Sequence, residues 1–124
     1  MRIVGIGVDV VEIERVLRLL RTRPSFRRRV FTPAEMAYCD GKASPAESYA
    51  ARWAAREAAR KALGGVRGLR WQDISVERAS TGAPRIALTG SAKARADRLG
   101  VNEVLVSFSH ERSVATAFCV AVSP

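Results

Sequence analysis

The sequence predicts an α+β fold in which a small antiparallel sheet packs on one long alanine-rich helix. A short β-branched segment opens the chain, a long helix with an alanine stripe follows, and short apolar segments come in pairs after it. Strands and helices mix without strict βαβ alternation, which disfavours a doubly wound parallel sheet. With 124 residues, the chain is expected to form a single domain over residues 1–124.

The first element is a strand over Ile3–Val8. In a regular strand Ile3, Gly5, Gly7 and Asp9 share one face. That face is nearly bare, so another backbone or a ligand can approach it closely. Asp9, where the strand ends, is either the N-cap of the next helix or a functional carboxylate.

Apolar residues at helical spacing predict a helix from Val11 to about Arg23, which Pro24 ends. The segment from Arg15 to Ala34 contains seven arginines and no acidic residue. This positive patch has three interpretations: a solvated surface, a nucleic-acid site, or a dock for an acidic helical partner. Only two phenylalanines interleave with the arginines, whereas nucleic-acid sites usually add base-stacking aromatics.

Two capping-box signatures with proline at the first helical position mark helix starts at Thr32–Glu35 and Ser44–Glu47. The second opens the longest helix, which runs to Leu63 and is stopped by Gly64-Gly65. Its alanine stripe permits close packing on a sheet. Its other faces carry polar residues, namely Glu57 with Lys61, and Arg52, Arg56 and Arg60.

The second half of the chain predicts a hairpin, a short helix and a final strand pair. In order these are Trp71–Arg78, Pro84–Leu88, a helix from Ser91 to Gly100, Val104–Ser109 and Val114–Val122.

The balance of 21 Lys+Arg against 12 Asp+Glu gives a net charge of +9, which favours an anionic partner such as nucleic acid, a phosphorylated cofactor, an acidic protein or an anionic membrane. Cys39 and Cys119 form no CxxC motif, so neither a disulfide scaffold nor a zinc site is indicated, and a reduced, cytoplasmic setting is expected. No uncharged run reaches the roughly 18 apolar residues of a membrane span.

Glu57 and Lys61 lie one helical turn apart and have two interpretations. The simpler is a surface ion pair worth about 0.2–0.5 kcal/mol. The other is a Mg²⁺ site that Asp9 and Glu57 share beside the lysine, because magnesium takes one or two carboxylates together with water and phosphate. Forty-eight residues separate Asp9 from Glu57, so only the fold can bring them together.

His110, the only histidine, is either a packed or turn residue or, beside Ser109 and Glu111, a group that accepts a proton or donates a hydrogen bond to a phosphate. The sequence has no GxxxxGK[ST], no GxGxxG after a strand and no HExxH. Walker-type nucleotide hydrolysis, Rossmann dinucleotide binding and zinc proteolysis are therefore disfavoured.

Motifs along nearly the whole chain resemble the holo-acyl-carrier-protein synthase family, the small bacterial 4′-phosphopantetheinyl transferases. The matching pieces are Gly5-Ile6-Gly7-Val8-Asp9 with Ile13 and Arg15, Phe31-Thr32 with Glu35, Arg52-Trp53-Ala54-Ala55-Arg56-Glu57-Ala58 with Lys61-Ala62-Leu63-Gly64, Gly82-Ala83-Pro84, and Ser107-Phe108-Ser109-His110. Each piece is weak alone, but the ordered combination is highly specific.

The resemblance implies the 4′-phosphopantetheinyl transferase fold and transfer of the phosphopantetheine arm of coenzyme A to a serine of apo-acyl carrier protein, with release of adenosine 3′,5′-bisphosphate. It implies that Asp9 and Glu57 hold Mg²⁺ and that Lys61 stabilises the leaving phosphate. A metal-activated water, Glu57 and His110 remain alternatives as acceptors of the serine proton.

The resemblance also implies a homotrimer with coenzyme A lying between subunits at the active sites, and a cofactor pressed against the bare strand face. The cofactor contacts that it implies are Asp9, Arg52, Arg56, Gly64, Gly82, Pro84, Ser109 and His110. The acidic carrier protein is expected at Arg15, Arg18, Arg21, Arg27 and Arg28.

One departure from the family concerns the residue before the metal glutamate, usually lysine and here Arg56, whose forked guanidinium is not equivalent to an ammonium. The alternative function is a small basic RNA-binding module. The transferase interpretation is preferred, with no membrane or nucleic-acid partner expected.

Overall fold

The computed structural model describes residues 1–124 and has an α+β architecture, as the sequence predicts. The elements are β1 (Arg2–Glu12), α1 (Ile13–Thr22), α2 (Pro24–Val30), α3 (Pro33–Asp40), α4 (Pro45–Ala62), a 3₁₀ turn (Trp71–Asp73), β2 (Ile74–Arg78), β3 (Pro84–Leu88), α5 (Gly90–Leu99), β4 (Glu103–Glu111) and β5 (Val114–Ser123). No helix is both long and apolar enough to cross a membrane.

Two antiparallel sheets surround the alanine-rich helix α4. One has three strands in the order β1-β5-β4, and the other is the hairpin β2-β3. Seven of the eight alanines of α4 are buried, among them Ala54, Ala55 and Ala58, and the helix packs mainly against the three-stranded sheet. The predicted small antiparallel sheet on a long alanine-rich helix is confirmed.

Gly5 and Gly7 allow β1 to lie directly against the backbone of α4. A Cβ atom on Gly5 would lie 2.0 Å from the carbonyl oxygen of Ala62, and one on Gly7 would lie 1.9 Å from that of Ala58. The expectation that a cofactor presses on this bare strand face is wrong, because the helix backbone occupies it. This contact sets the position of the later part of β1, which carries Asp9, relative to α4.

The opposite face of the three-stranded sheet is apolar and exposed. Ile6, Val8 and Val10 of β1 are 61, 52 and 63% exposed, and Leu105 and Phe118 on the neighbouring strands are 45 and 46% exposed. Val8 pairs directly with Phe118 across the β1-β5 ladder, so these side chains form one continuous surface. We call it the apolar sheet face.

Several element boundaries differ from those predicted because long-range pairing decides them. β1 continues to Glu12 because it pairs with β5 as far as Val114, so α1 begins at Ile13 and not at Val11. Pro24 ends α1 and also opens α2, which was not predicted. Trp71–Asp73, expected in a strand, forms a 3₁₀ turn.

The two capping boxes behave differently. Thr32 and Glu35 form the predicted reciprocal pair, in which Glu35 N donates to Thr32 Oγ1 at 3.2 Å and Thr32 N donates to Glu35 Oε1 at 2.9 Å. Ser44 precedes α4 as predicted, but its side chain makes no cap hydrogen bond, and Glu47 lies beside His110 instead.

Candidate active site

The structure brings Asp9 and Glu57 to one cleft between the end of β1 and α4, with Lys61 beside Asp9. Asp9 and Glu57 line a cavity of about 280 Å³ together with Arg15 and Trp53. Lys61 Nζ lies 3.3 Å from Asp9 Oδ1 and donates to the carbonyl oxygen of Val8 at 2.9 Å. The fold thus closes the 48-residue gap that the sequence left open.

The simpler expectation for Glu57 and Lys61, an ion pair with each other, is wrong. Lys61 pairs with Asp9 across the strand-helix contact, while Glu57 Oε2 accepts from Arg60 Nη2 at 3.1 Å. Each carboxylate of the cleft therefore has its own cationic neighbour.

The electrostatics of the cleft suit a divalent cation. Burial raises the pKa of the Asp9 carboxyl above its ordinary value, Lys61 opposes this rise, and the neighbouring Glu57 carboxylate adds to it. No group of three or more His, Cys, Asp or Glu side chains forms a metal cage anywhere in the chain. Two carboxylates in a cleft open to water and phosphate are nevertheless a donor set that magnesium uses. The residues present therefore fit Mg²⁺.

A second cavity, of about 550 Å³, contains three of the residues expected to contact the cofactor: Arg52, Ser109 and His110. Arg52 is only 2% exposed, and its Nη1 donates to the carbonyl oxygen of Ser48 at 3.3 Å. Its Nε is buried with no hydrogen-bond partner. A buried guanidinium with a spare donor beside a cavity is suited to an anionic group such as a phosphate.

Two further cations at this cavity, Lys42 and Arg78, were not singled out from the sequence. Lys42 Nζ, Arg52 Cζ and Arg78 Cζ lie 4.5, 4.5 and 4.9 Å from the centre of the Tyr38 ring. Although burial acts to raise the pKa of Tyr38, these cations hold it below its ordinary value. The three positive charges come from the loop between α3 and α4, from α4 and from β2, so no local motif signals them.

His110 lines this second cavity and does not line the cleft of Asp9 and Glu57 in the same chain. It lies at the end of β4 with a half-exposed side chain, and its Nε2 is 3.5 Å from Glu47 Oε2. The part that it plays in proton transfer stays a prediction. Glu111 follows it on the exposed strand end.

The structure contradicts the expected contact between Arg56 and the cofactor. Its side chain is fully buried and pairs with Glu35 through both terminal nitrogens, while its Nε donates to the carbonyl oxygen of Trp71 at 3.0 Å. No atom of Arg56 is available to a ligand in this conformation. The forked guanidinium instead joins α3, α4 and the 3₁₀ turn through three separate nitrogens, a planar bidentate geometry that the single nitrogen of a lysine could not reproduce.

The remaining expected cofactor residues, Gly64, Gly82 and Pro84, line neither of these two cavities. Gly64 follows α4 with φ +99°, a backbone conformation that residues with a side chain rarely adopt, and this accounts for the glycine. Gly82 turns the β2-β3 hairpin with φ +87°, and its carbonyl oxygen accepts from Arg78 at 2.6 Å. Pro84 opens β3 and lines a gap between β3 and β4.

The arginines expected to receive a partner lie mostly on the surface. Arg15, Arg18, Arg21 and Arg28 are exposed, and Arg15 also lines the cleft of Asp9 and Glu57. Arg27 is already engaged, since its Nε donates to Tyr49 Oη at 2.9 Å and it forms an ion pair with Asp40.

The model of the 4′-phosphopantetheinyl transferase superfamily matches residues 5–119, which is nearly the whole chain. This chain belongs to that superfamily. Its sequence is 50% identical over 119 residues to a holo-[acyl-carrier-protein] synthase of Anaeromyxobacter dehalogenans, and the match covers 93% of this chain and 92% of the relative.

Solved structures of the same superfamily share the fold. A holo-[acyl-carrier-protein] synthase of Neisseria meningitidis is 32% identical, with a TM-score of 0.86 over 98% of this chain and all of that one. The enzyme of Helicobacter pylori in complex with coenzyme A is 31% identical, with a TM-score of 0.81 over 94% of this chain and 99% of that one. The fold that the sequence resemblance implied is thereby confirmed.

Proposed function

We propose that Asp9, Glu57 and Lys61 form the active site of a Mg²⁺-dependent holo-acyl-carrier-protein synthase. The protein transfers the 4′-phosphopantetheine arm of coenzyme A to a serine of apo-acyl carrier protein and releases adenosine 3′,5′-bisphosphate. The family assignment and the relatives of that name support the activity. The observation that supports the site is that two carboxylates from separate elements line one cleft and that a lysine pairs with one of them.

In this proposal Asp9 and Glu57 hold the magnesium ion. When bound, the ion supplies positive charge to the diphosphate of coenzyme A as the phosphorus is attacked. Lys61 Nζ donates to the Val8 carbonyl oxygen and to Asp9 in the free protein, and in the proposed mechanism it would donate to the phosphate that leaves.

The reaction forms a bond between the serine oxygen and the β-phosphorus and breaks the bond from that phosphorus to the bridging oxygen. The bridging oxygen departs on adenosine 3′,5′-bisphosphate, and the serine hydroxyl loses its proton. Glu57 is the candidate acceptor that the cleft itself contains, and a water in the cleft is the other. His110 would serve only from a neighbouring subunit, because in its own chain it lines the other cavity.

The second cavity is proposed to hold the phosphate-bearing nucleotide part of coenzyme A. Arg52 offers an unpartnered buried donor, and Lys42 and Arg78 place two more positive charges beside it. Ser109 and His110 line the same cavity and supply further hydrogen-bonding groups. Gly64, Gly82 and Pro84 remain proposed contacts for the rest of the cofactor.

We further propose that the protein assembles as a homotrimer through the apolar sheet face. Contiguous apolar surface of this kind marks an interaction site, and closed symmetric assemblies are the usual outcome for a homo-oligomer. Such an assembly would let one subunit's coenzyme A cavity meet its neighbour's metal cleft. Val8→Asp, which buries a charge in that interface, is expected to give monomers in sedimentation velocity, whereas an unchanged assembly would contradict this interface.

The acidic carrier protein is proposed to dock on the exposed arginines of α1 and α2, since Arg15 connects that surface to the cleft. The family assignment displaces the alternative of an RNA-binding module.

A cytoplasmic location is supported by the cysteines, which are both free and buried. Burial raises the pKa of Cys39 to about 11 and that of Cys119 to about 12, so both stay as thiols.

The test of the proposed site is mass spectrometry of apo-acyl carrier protein incubated with coenzyme A, with and without Mg²⁺. Wild-type protein is expected to add one phosphopantetheine only when Mg²⁺ is present, and Asp9→Ala and Glu57→Ala are expected to abolish the addition. Asp97→Ala, which removes an exposed carboxylate on α5, is the matched control and should stay active. Full activity of either cleft variant would contradict the proposed site.

A further inference from the structure

Arg60 joins the Glu57 carboxylate to the turn that follows α4. Its Nη2 donates to Glu57 Oε2 at 3.1 Å, and its Nη1 donates to the carbonyl oxygen of Gly65 at 3.0 Å and approaches that of Val66 at 3.5 Å. The two side chains are mostly buried, with 24% of Arg60 and 19% of Glu57 exposed. One guanidinium therefore spans a carboxylate and two backbone acceptors.

This bridge restricts a carboxylate that would otherwise be mobile. A glutamate side chain has three rotatable bonds, and fixing one carboxylate oxygen leaves the other to face a ligand in a defined direction. The far end of Arg60 is itself anchored on backbone carbonyls, so the restriction is passed to the main chain and does not end on another flexible group.

Arg60 also decides which ion pairs form in the cleft. Glu57 and Lys61 are at i, i+4 spacing and would pair with each other on an isolated helix. Arg60 forms an ion pair with Glu57, and Lys61 forms one with Asp9. The two carboxylates therefore face the cleft without sharing a cation.

We propose that Arg60 is a positioning residue that holds Glu57 in the orientation needed to bind the metal. This inference rests on the proposed function, because it assumes that Glu57 is a metal ligand. Arg60 does not need to contact a substrate to play this part. Because its positive charge repels a nearby metal ion, charge repulsion alone would make metal binding tighter when Arg60 is removed, whereas loss of positioning would make it weaker.

The experiment titrates Mn²⁺, as a spectroscopic substitute for Mg²⁺, into the protein in the presence of saturating coenzyme A and follows free Mn²⁺ by electron paramagnetic resonance. Coenzyme A alone gives the baseline. Arg60→Ala is expected to raise the metal dissociation constant about tenfold, at the lower end of the loss usual for residues that orient metal ligands. Arg60→Lys keeps the charge without the fork and should recover only part of the loss.

The control is Arg67→Ala, which makes the same change in net charge at an exposed position outside this bridge and should bind Mn²⁺ like the wild type. Circular dichroism of each variant separates loss of metal binding from loss of folding. If Arg60→Ala unfolds, Arg60→Lys alone carries the test, since unaltered binding in that variant contradicts the need for the fork.

The outcomes separate this inference from the proposed function. If Glu57→Gln binds Mn²⁺ as the wild type does, the proposed metal site is wrong. If Glu57→Gln loses binding while Arg60→Ala binds equally or more tightly than the wild type, only the positioning role is overturned. Support for that role also requires that raised Mg²⁺ concentration restores turnover to Arg60→Ala and not to Glu57→Gln.

Discussion

Replacing Gly7 by alanine perturbs the contact that sets Asp9 against α4. The added Cβ would lie 1.9 Å from the carbonyl oxygen of Ala58 and 2.8 Å from the backbone nitrogen of Ala62. Both are backbone atoms of a helix, so neither can rotate away as a flexible side chain would. The strand and the helix would have to separate by roughly 1 Å to relieve the overlap.

Two effects follow from that separation. Overpacking in a buried interface lowers the free energy of unfolding by about 1–3 kcal/mol and sometimes more. Asp9 follows Gly7 by two residues on β1 and would move with it, while Glu57 would move with α4. A misplacement of about 1 Å between groups that act together lowers turnover by about 100-fold.

Urea denaturation and the mass-spectrometric transfer assay measure the two effects separately. Gly41→Ala is the matched control, because a Cβ there would lie 3.6 Å from its nearest neighbours at an ordinary φ of −81°. That variant is expected to match the wild type in both assays. Wild-type stability and turnover in Gly7→Ala would refute the idea that the direct backbone contact positions the cleft.

Two further predictions concern the buried ion pair and the basic helix. Although burial acts to raise it, Arg56 holds the pKa of Glu35 below its ordinary 4.5, so the stability that this pair contributes is present above that value and is lost as the pH falls below it. Glu35→Gln is expected to lower the free energy of unfolding by about 3–5 kcal/mol at pH 7 and to flatten this acid dependence in urea titrations, and an unchanged slope would contradict it. Reversal of Arg18 and Arg21 to glutamate is expected to weaken carrier-protein binding by roughly tenfold and to spare coenzyme A binding, and equal losses in calorimetry would contradict separate sites for the two substrates.

Features decided by nearby residues were predictable from the sequence. The capping box of Thr32 and Glu35 formed because its partners are three residues apart, and the alanine stripe of α4 packs on the sheet as its spacing indicates. The Ser44 box did not form, and the Glu47 side chain lies instead beside His110, a residue 63 positions away. Local spacing cannot show such a distant neighbour.

The same distinction between local and long-range features applies to the residues of the candidate site. Asp9, Glu57 and Lys61 were predicted from their chemistry and then met in the fold. Arg56 was misassigned because its burial depends on α3 and the 3₁₀ turn closing over it, which helical periodicity does not reveal. Lys42 and Arg78 were missed because they converge on one cavity from distant elements. The single-domain boundary over residues 1–124 stays a prediction.

The most direct measurement is anomalous diffraction from crystals of the protein grown with coenzyme A and Mn²⁺. The peak should lie about 2.1 Å from one oxygen each of Asp9 and Glu57 of the same subunit, with diphosphate oxygens of coenzyme A completing its coordination. The mechanism depends on one metal ion that is coordinated by Asp9 and Glu57 of the same subunit. An ion coordinated by neither carboxylate, or by Asp9 of one subunit and Glu57 of another, would contradict it.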